Sequence, residues 1–208
     1  MTEIGKIDRP EVADYRNKKK IYFVRNLYLP QNATDKYRDI YYQYWNEVEE
    51  HLSRLEIAGK AEKIFCESIY LSGEEAMKVL RTMNARLEEM VQQRIEAGAA
   101  LLPLESREIF GIYIDWYNCL AVVRSSPVHE AIHKFLDETI RDRFEHIKSV
   151  LRENIADGEA ALLVMRDEDR RFLDVPDDIE LFLVTPPAYD DLMRFIRDSD
   201  SGKEYWRE

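Results

Sequence analysis

Residues 159–165 read EAALLVM, and from Ala160 to Met165 no polar side chain interrupts the run. Asp157-Gly158 precedes it and the charged loop MRDEDRRF, Met165 to Phe172, follows it. A short, continuously apolar run bounded by turn residues predicts a strand covered on both faces, the kind found inside parallel sheets. Upstream, Ser126-Pro127 offers an N-cap with proline at the first helical position, and Val128, Ile132, Phe135, Leu136, Ile140, Phe144, Ile147, Leu151 and Ile155 recur at the spacing of one helix face. Downstream, DIELFLV, Asp178 to Val184, predicts a further strand. Pro186-Pro187 then opens a helix, AYDDLMRFIRD, with Asp190 and Asp191 in the first turn, where the helix dipole favours them.

The same alternation extends to the start of the chain. IYFVRNLYL, Ile21 to Leu29, is β-branched and aromatic and stops at Pro30, as a strand does. From Thr34, a candidate N-cap, the positions Tyr37, Ile40, Tyr41, Tyr44, Val48, Leu52 and Leu55 mark a helix that Gly59 ends. KIFCESIYL, Lys63 to Leu71, is the next strand, and Ser72-Gly73-Glu74-Glu75 has the form of a capping box opening a helix that runs to Gly98. AALLPL forms a third short strand cut by Pro103; residues 105–123 fit both periods, with helix preferred. The fold class that follows is α/β, a single domain over 21–198 with a mixed, mostly parallel sheet and helices on both faces. A polar arm (1–20) and a loose tail (199–208) flank it. No helix separates the last two strands, so an antiparallel pair is expected there.

Composition narrows the function. The chain has 208 residues, 45 % of them hydrophobic, enough to furnish a core. Its 30 Lys+Arg against 41 Asp+Glu leave a net charge of −11, which repels polyanions, so neither nucleic acid nor an anionic membrane is an expected partner. Two cysteines, Cys66 and Cys119, sit in apolar runs and build no disulfide framework, which suits a reducing compartment. The polar start MTEIGKIDRPEV does not read as a signal peptide, and no apolar stretch is long enough to span a bilayer. A cytoplasmic protein is expected. In KYRDIYYQYWNEVEE the aromatics alternate with acids rather than with Lys and Arg, which predicts an aromatic core face on a helix and a candidate interface in a homo-oligomer. No dinucleotide fingerprint, phosphate loop or nucleophile elbow occurs, so no cofactor is expected apart from the metal of one motif.

That motif is His129-Glu130-Ala131-Ile132-His133. HExxH on a helix sets two imidazoles one turn apart as zinc ligands, His129 and His133, with Glu130 placed as general base toward the metal-bound water. At about 100° per residue both histidines fall at the border of the helix's apolar stripe. A third ligand is missing locally, since Glu145 and His146 lie about 18 to 20 Å further along the same helix. His51, Glu67, Glu105 or Glu159 would have to supply it through the fold.

A second constellation is made of carboxylates. Glu67 lies in an apolar strand and needs a partner if buried; Glu105 follows another strand, beside Arg107. Ligands of open α/β sheets gather outside the carboxyl ends of strands. Along KIFCES, GAALLPLESREIF, RFEHIKSVLRENIADGEAALLVM and DVPDDIELFLV the chain resembles a family of prokaryotic proteins without assigned function. The resemblance singles out Glu67, Glu105, Arg143, Glu159 and Asp178. Members of that family place a glycine and a histidine after the Gly-Glu strand, where this chain has Arg166-Asp167-Glu168-Asp169. The leading expectation is a pocket at the strand ends, formed by Glu67, Glu105, Arg107, Arg143 and Glu159, that binds a small molecule. A zinc hydrolase and a non-enzymatic interaction module are the alternatives.

Overall fold

The computed structural model of the chain describes residues 17–200. Its elements follow one another as β1 (Lys19–Arg25), α1 (Asp35–Leu55), β2 (Ala61–Cys66), α2 (Gly73–Met83), α3 (Ala85–Glu96), β3 (Ala100–Leu102), α4 (Arg107–Val122), α5 (Ser126–Asn154), β4 (Ala160–Met165), α6 (Asp167–Arg170), β5 (Ile179–Leu183) and α7 (Pro187–Asp200). The five strands form one sheet, ordered β3-β2-β4-β1-β5. EAALLVM supplies its middle strand, and every residue of β4 is buried.

The domain is α/β, but the sheet is parallel throughout rather than mixed. The expected antiparallel pair does not form because β1 and β2 occupy both edges of β4. The chain from Arg166 to Asp178 instead crosses over β1, and β5 adds to its far side with Lys19 opposite Ile179 and Phe23 opposite Leu183. About a dozen residues suffice for such a crossover.

Strand side chains point alternately to the two faces, and each face has its own core. On one side Tyr22, Val24, Ile64, Cys66, Leu162 and Val164 pack against α1, α2, α3 and α7 through residues such as Trp45, Leu80, Leu87 and Leu192. On the other, Ile21, Phe23, Phe65, Leu163 and Met165 meet Phe144, Ile147 and Leu151 of α5. Three tyrosines of α1, Tyr37, Tyr41 and Tyr44, are buried in the first core, while Tyr42 is exposed.

Three local departures matter. The helix expected from Ser72 to Gly98 breaks at Asn84, whose extended backbone (φ −157°, ψ 95°) ends α2 and caps α3 by accepting a hydrogen bond from the Leu87 amide. Ser72 stands at the N-cap position of α2, but its side chain makes no capping bond. β1 starts at Lys19, two residues ahead of the expected boundary; residues 1–16 of the arm and 201–208 of the tail lie outside the described residues. Residues 107–122 are helical, as preferred. No helix among the described residues is long and apolar enough to cross a membrane.

Candidate functional site

In a parallel sheet all carboxyl ends open on one side, so the residues just after β1, β2, β3 and β4 are brought together from distant parts of the chain. Here they are Asn26, Glu67, Glu105 and Arg166.

Glu67 is the centre. Its side chain is wholly buried, and it accepts hydrogen bonds from Asn26 Nδ2 at 3.0 Å, the Tyr28 hydroxyl at 3.0 Å and Arg166 Nε at 3.1 Å. Burial raises its pKa above the ordinary carboxylate value, with the Arg166 charge opposing the shift. Arg166 reaches on with Nη2 to Asp169 Oδ2 at 3.0 Å and to the Tyr113 hydroxyl at 3.4 Å. Asp169 Oδ2 also accepts from Arg143 Nη1 at 3.0 Å.

Arg143, on α5, is 1 % exposed. It holds Glu105 with two donors, Nε at 3.0 Å and Nη2 at 2.5 Å, the forked geometry that suits a carboxylate. The rings of Tyr113, Phe144 and Phe110 surround the guanidinium at 4.7, 5.3 and 5.6 Å. Burial works against its charge, but Glu105 and Asp169 outweigh that and hold the group protonated more firmly than usual. Glu105 in turn accepts from the Ser68 amide at 3.1 Å. Ser68 is the one non-glycine residue with positive φ among the described residues, at 66°, a strained conformation that this bond helps fix.

At the other end Asn84 Nδ2 donates to Asn26 Oδ1 at 3.0 Å and to the Leu27 carbonyl at 2.8 Å, while Asn84 Oδ1 accepts from the Tyr41 hydroxyl at 2.7 Å. A continuous chain of hydrogen bonds therefore runs from Tyr41 to Ser68 beneath the strand ends. Buried groups so fully partnered are rigid, because loss of any bond strands a neighbour without water to replace it.

Above this floor lies a cavity of about 280 Å³ walled by Tyr28, Ser68, Met83, Phe110, Tyr113, Ile114, Tyr117 and Arg166. Phe110 and Tyr113 stack with centroids 5.9 Å apart, and Tyr117 meets Tyr113 edge-on at 4.8 Å. Burial raises the Tyr113 pKa to about 12, so its hydroxyl stays protonated at neutral pH. Roomier clefts of about 600 Å³ beside Ile140 and Phe172 and about 580 Å³ between α2 and α3 lie away from the strand ends. Of these three the smaller cavity is the better candidate, since it rests on convergent buried polar groups that orient a ligand.

Of the residues expected at the site, Glu67, Glu105 and Arg143 are joined. Arg107 is not: it is the first residue of α4 and points to solvent. Glu159 stands at the opposite end of the sheet, because it precedes its strand whereas Glu67 and Glu105 follow theirs. There it binds Lys63 and the Ala156 amide, which depress its pKa. Asp178 likewise precedes β5 and pairs with Lys19 at 2.7 Å.

His129, Glu130 and His133 are exposed on the first turns of α5, the two imidazoles 4.5 Å apart between centroids. Among the described residues no group of three His, Cys, Asp or Glu is gathered where a metal ion would need it. Cys66 is buried, and burial pushes its thiol pKa up, away from reactivity.

Sequence reasoning missed Asn26, Tyr28, Asn84, Tyr113, Arg166 and Asp169. Only Arg166 and Asp169 carried a signal, since both lie in the charged loop that directly follows the run setting the middle strand.

Comparison with known proteins finds no matching family model, no matching curated protein and no matching solved structure. What the fold and site define is a class: a parallel α/β protein with an aromatic-walled cavity seated on a buried guanidinium and carboxylate network.

Proposed function

We propose that the protein binds a small molecule at the carboxyl ends of β1, β2 and β4. The observation that carries this is Arg166. Its Nε and Nη2 are anchored by Glu67, Asp169 and Tyr113, its Nη1 meets no carboxylate among the described residues, and its side chain is 40 % exposed at the cavity wall. A guanidinium held this way is an oriented donor whose ordering cost was met on folding. An acceptor group of the ligand, a carboxylate above all, reaches Arg166 and the Ser68 hydroxyl, and a ring or apolar body lies on Phe110, Tyr113 and Tyr117. The cavity takes on the order of ten non-hydrogen atoms.

The test is a thermal-shift screen with benzoate, indole-3-carboxylate and other aromatic carboxylates, set against the corresponding amides and amines. At least one carboxylate raises Tm, its neutral amide does so less, and the rise is lost in Arg166→Gln and in Tyr117→Ala. Tyr117 is 47 % exposed, so its truncation leaves the fold in place. No shift from any carboxylate, or a shift that persists in both variants, refutes the reading. A cytoplasmic location belongs to the same proposal, supported by two unpaired cysteines of which Cys66 is fully buried.

A further inference from the structure

We infer that the helical hairpin of α4 and the first half of α5 is the contact surface of a homodimer, with a second copy of the chain as its occupant. This stands apart from the ligand reading, because the face concerned is not the one that walls the cavity.

The hairpin is unusual for its exposure. Tyr113 is the one buried residue of α4, and α4 packs chiefly on α5. Ile132 and Leu136 of α5 are buried, yet they belong to neither of the cores on the sheet. The hairpin thus projects beyond the sheet. Ile112, Trp116 and Cys119 follow one another at spacings of four and three residues and share a helix face. Trp116 stacks on Phe135 at 5.2 Å with planes 14° apart, which sets that face beside Phe135 and Val128 of α5.

The exposed part of this surface is apolar. Ile112 is 44 % exposed, Phe135 and Val128 47 % each, and Val122, beside the turn, 77 %. Together they offer roughly 400 Å² of apolar side chain. A stable interface of standard size buries about 800 Å² per partner, of which a little over half is apolar, so the area available matches what a dimer requires.

The low charge of the hairpin suits the same contact. From Arg107 to Thr139 the chain carries eight charged residues in 33, fewer than its average of 34 %. Two hairpins packed on each other about a two-fold axis close a four-helix bundle.

The experiment is sedimentation equilibrium of the full chain from about 5 to 100 μM at low salt, with Phe135→Glu and, as a substitution at a still more exposed position, Val122→Asp. The parent sediments at twice its 24.7 kDa, both variants shift toward the monomer by at least tenfold in dissociation constant, and their far-UV circular dichroism is unchanged. A parent that stays monomeric at 100 μM overturns the inference, and so does a dimer that survives Phe135→Glu combined with Ile112→Glu.

Discussion

Arg143 shows what one residue does for the site. It reaches Glu105 and Asp169 at once, and truncating it leaves the buried Glu105 without a counter-charge and Asp169 with Arg166 alone. Arg143→Ala is expected to cost about 3 to 5 kcal/mol in urea unfolding. Arg143→Lys recovers little of that, because an ammonium lacks the fork that spans the two oxygens of Glu105 while a third nitrogen holds Asp169. A loss below about 1 kcal/mol in Arg143→Ala would mean that the network contributes nothing to folding. Glu67 makes a pH-dependent prediction of the opposite kind. Its folded pKa is raised by burial above the ordinary 4.5, so as pH falls through the folded value the native state takes up a proton before the unfolded chain does. Native protein then binds more protons than unfolded protein, and this group's contribution to stability grows on acidification until the unfolded value is passed. Relative to Glu67→Gln, the parent should gain stability between neutral pH and the ordinary carboxylate range; unfolding midpoints that move in parallel for the two proteins would contradict the assignment.

At the scale of elements, the periodicity of the sequence identifies strands and helices because each element buries one stripe or one run. The continuous apolar stretch from Ala160 to Met165 is central in the sheet for that reason. The pairing of β5 was not legible, since loop length permits both a hairpin and a crossover and only the occupancy of both β4 edges decides between them. The break at Asn84 was hidden too, because the apolar stripe of α2 continues in phase into α3 and the cause is a tertiary one. Asn84 is drawn out of helical geometry to bond Asn26, Leu27 and Tyr41 while capping α3. Asn84→Ala removes the cap and strands buried partners, at an expected cost of about 2 kcal/mol in thermal or urea unfolding. Asn84→Asp keeps the cap acceptor but loses the two donors, and should fall between the parent and the alanine variant. The candidate site was half legible on the same grounds. A carboxylate inside an apolar strand, as at Glu67, announces that a partner exists, but that partner, Arg166, is 99 residues away and is chosen by the order of the strands.

The whole molecule divides along α5. From Phe144 to Leu151 this helix lies on the sheet, and before Thr139 its buried residues belong to neither core and it packs chiefly on α4. Local stability follows buried contacts, so amides of residues 107–139 should exchange with solvent through openings of lower free energy than those of β1, β2, β4 and the second half of α5. Arg143 and Tyr113 stand at the joint between the two parts, and both touch the network under the cavity. Motion of the hairpin therefore reaches the cavity walls at Phe110, Tyr113 and Tyr117. Hydrogen exchange followed by mass spectrometry at about 5 and 100 μM separates the consequences. If two copies pair through their hairpins, protection at residues 112–135 rises with protein concentration while the sheet stays constant, and an aromatic carboxylate that binds protects residues 110–117 at either concentration. Uniform exchange across α4, α5 and the sheet would show that the hairpin is held as firmly as the core, and the division of the molecule drawn from its burial would fail.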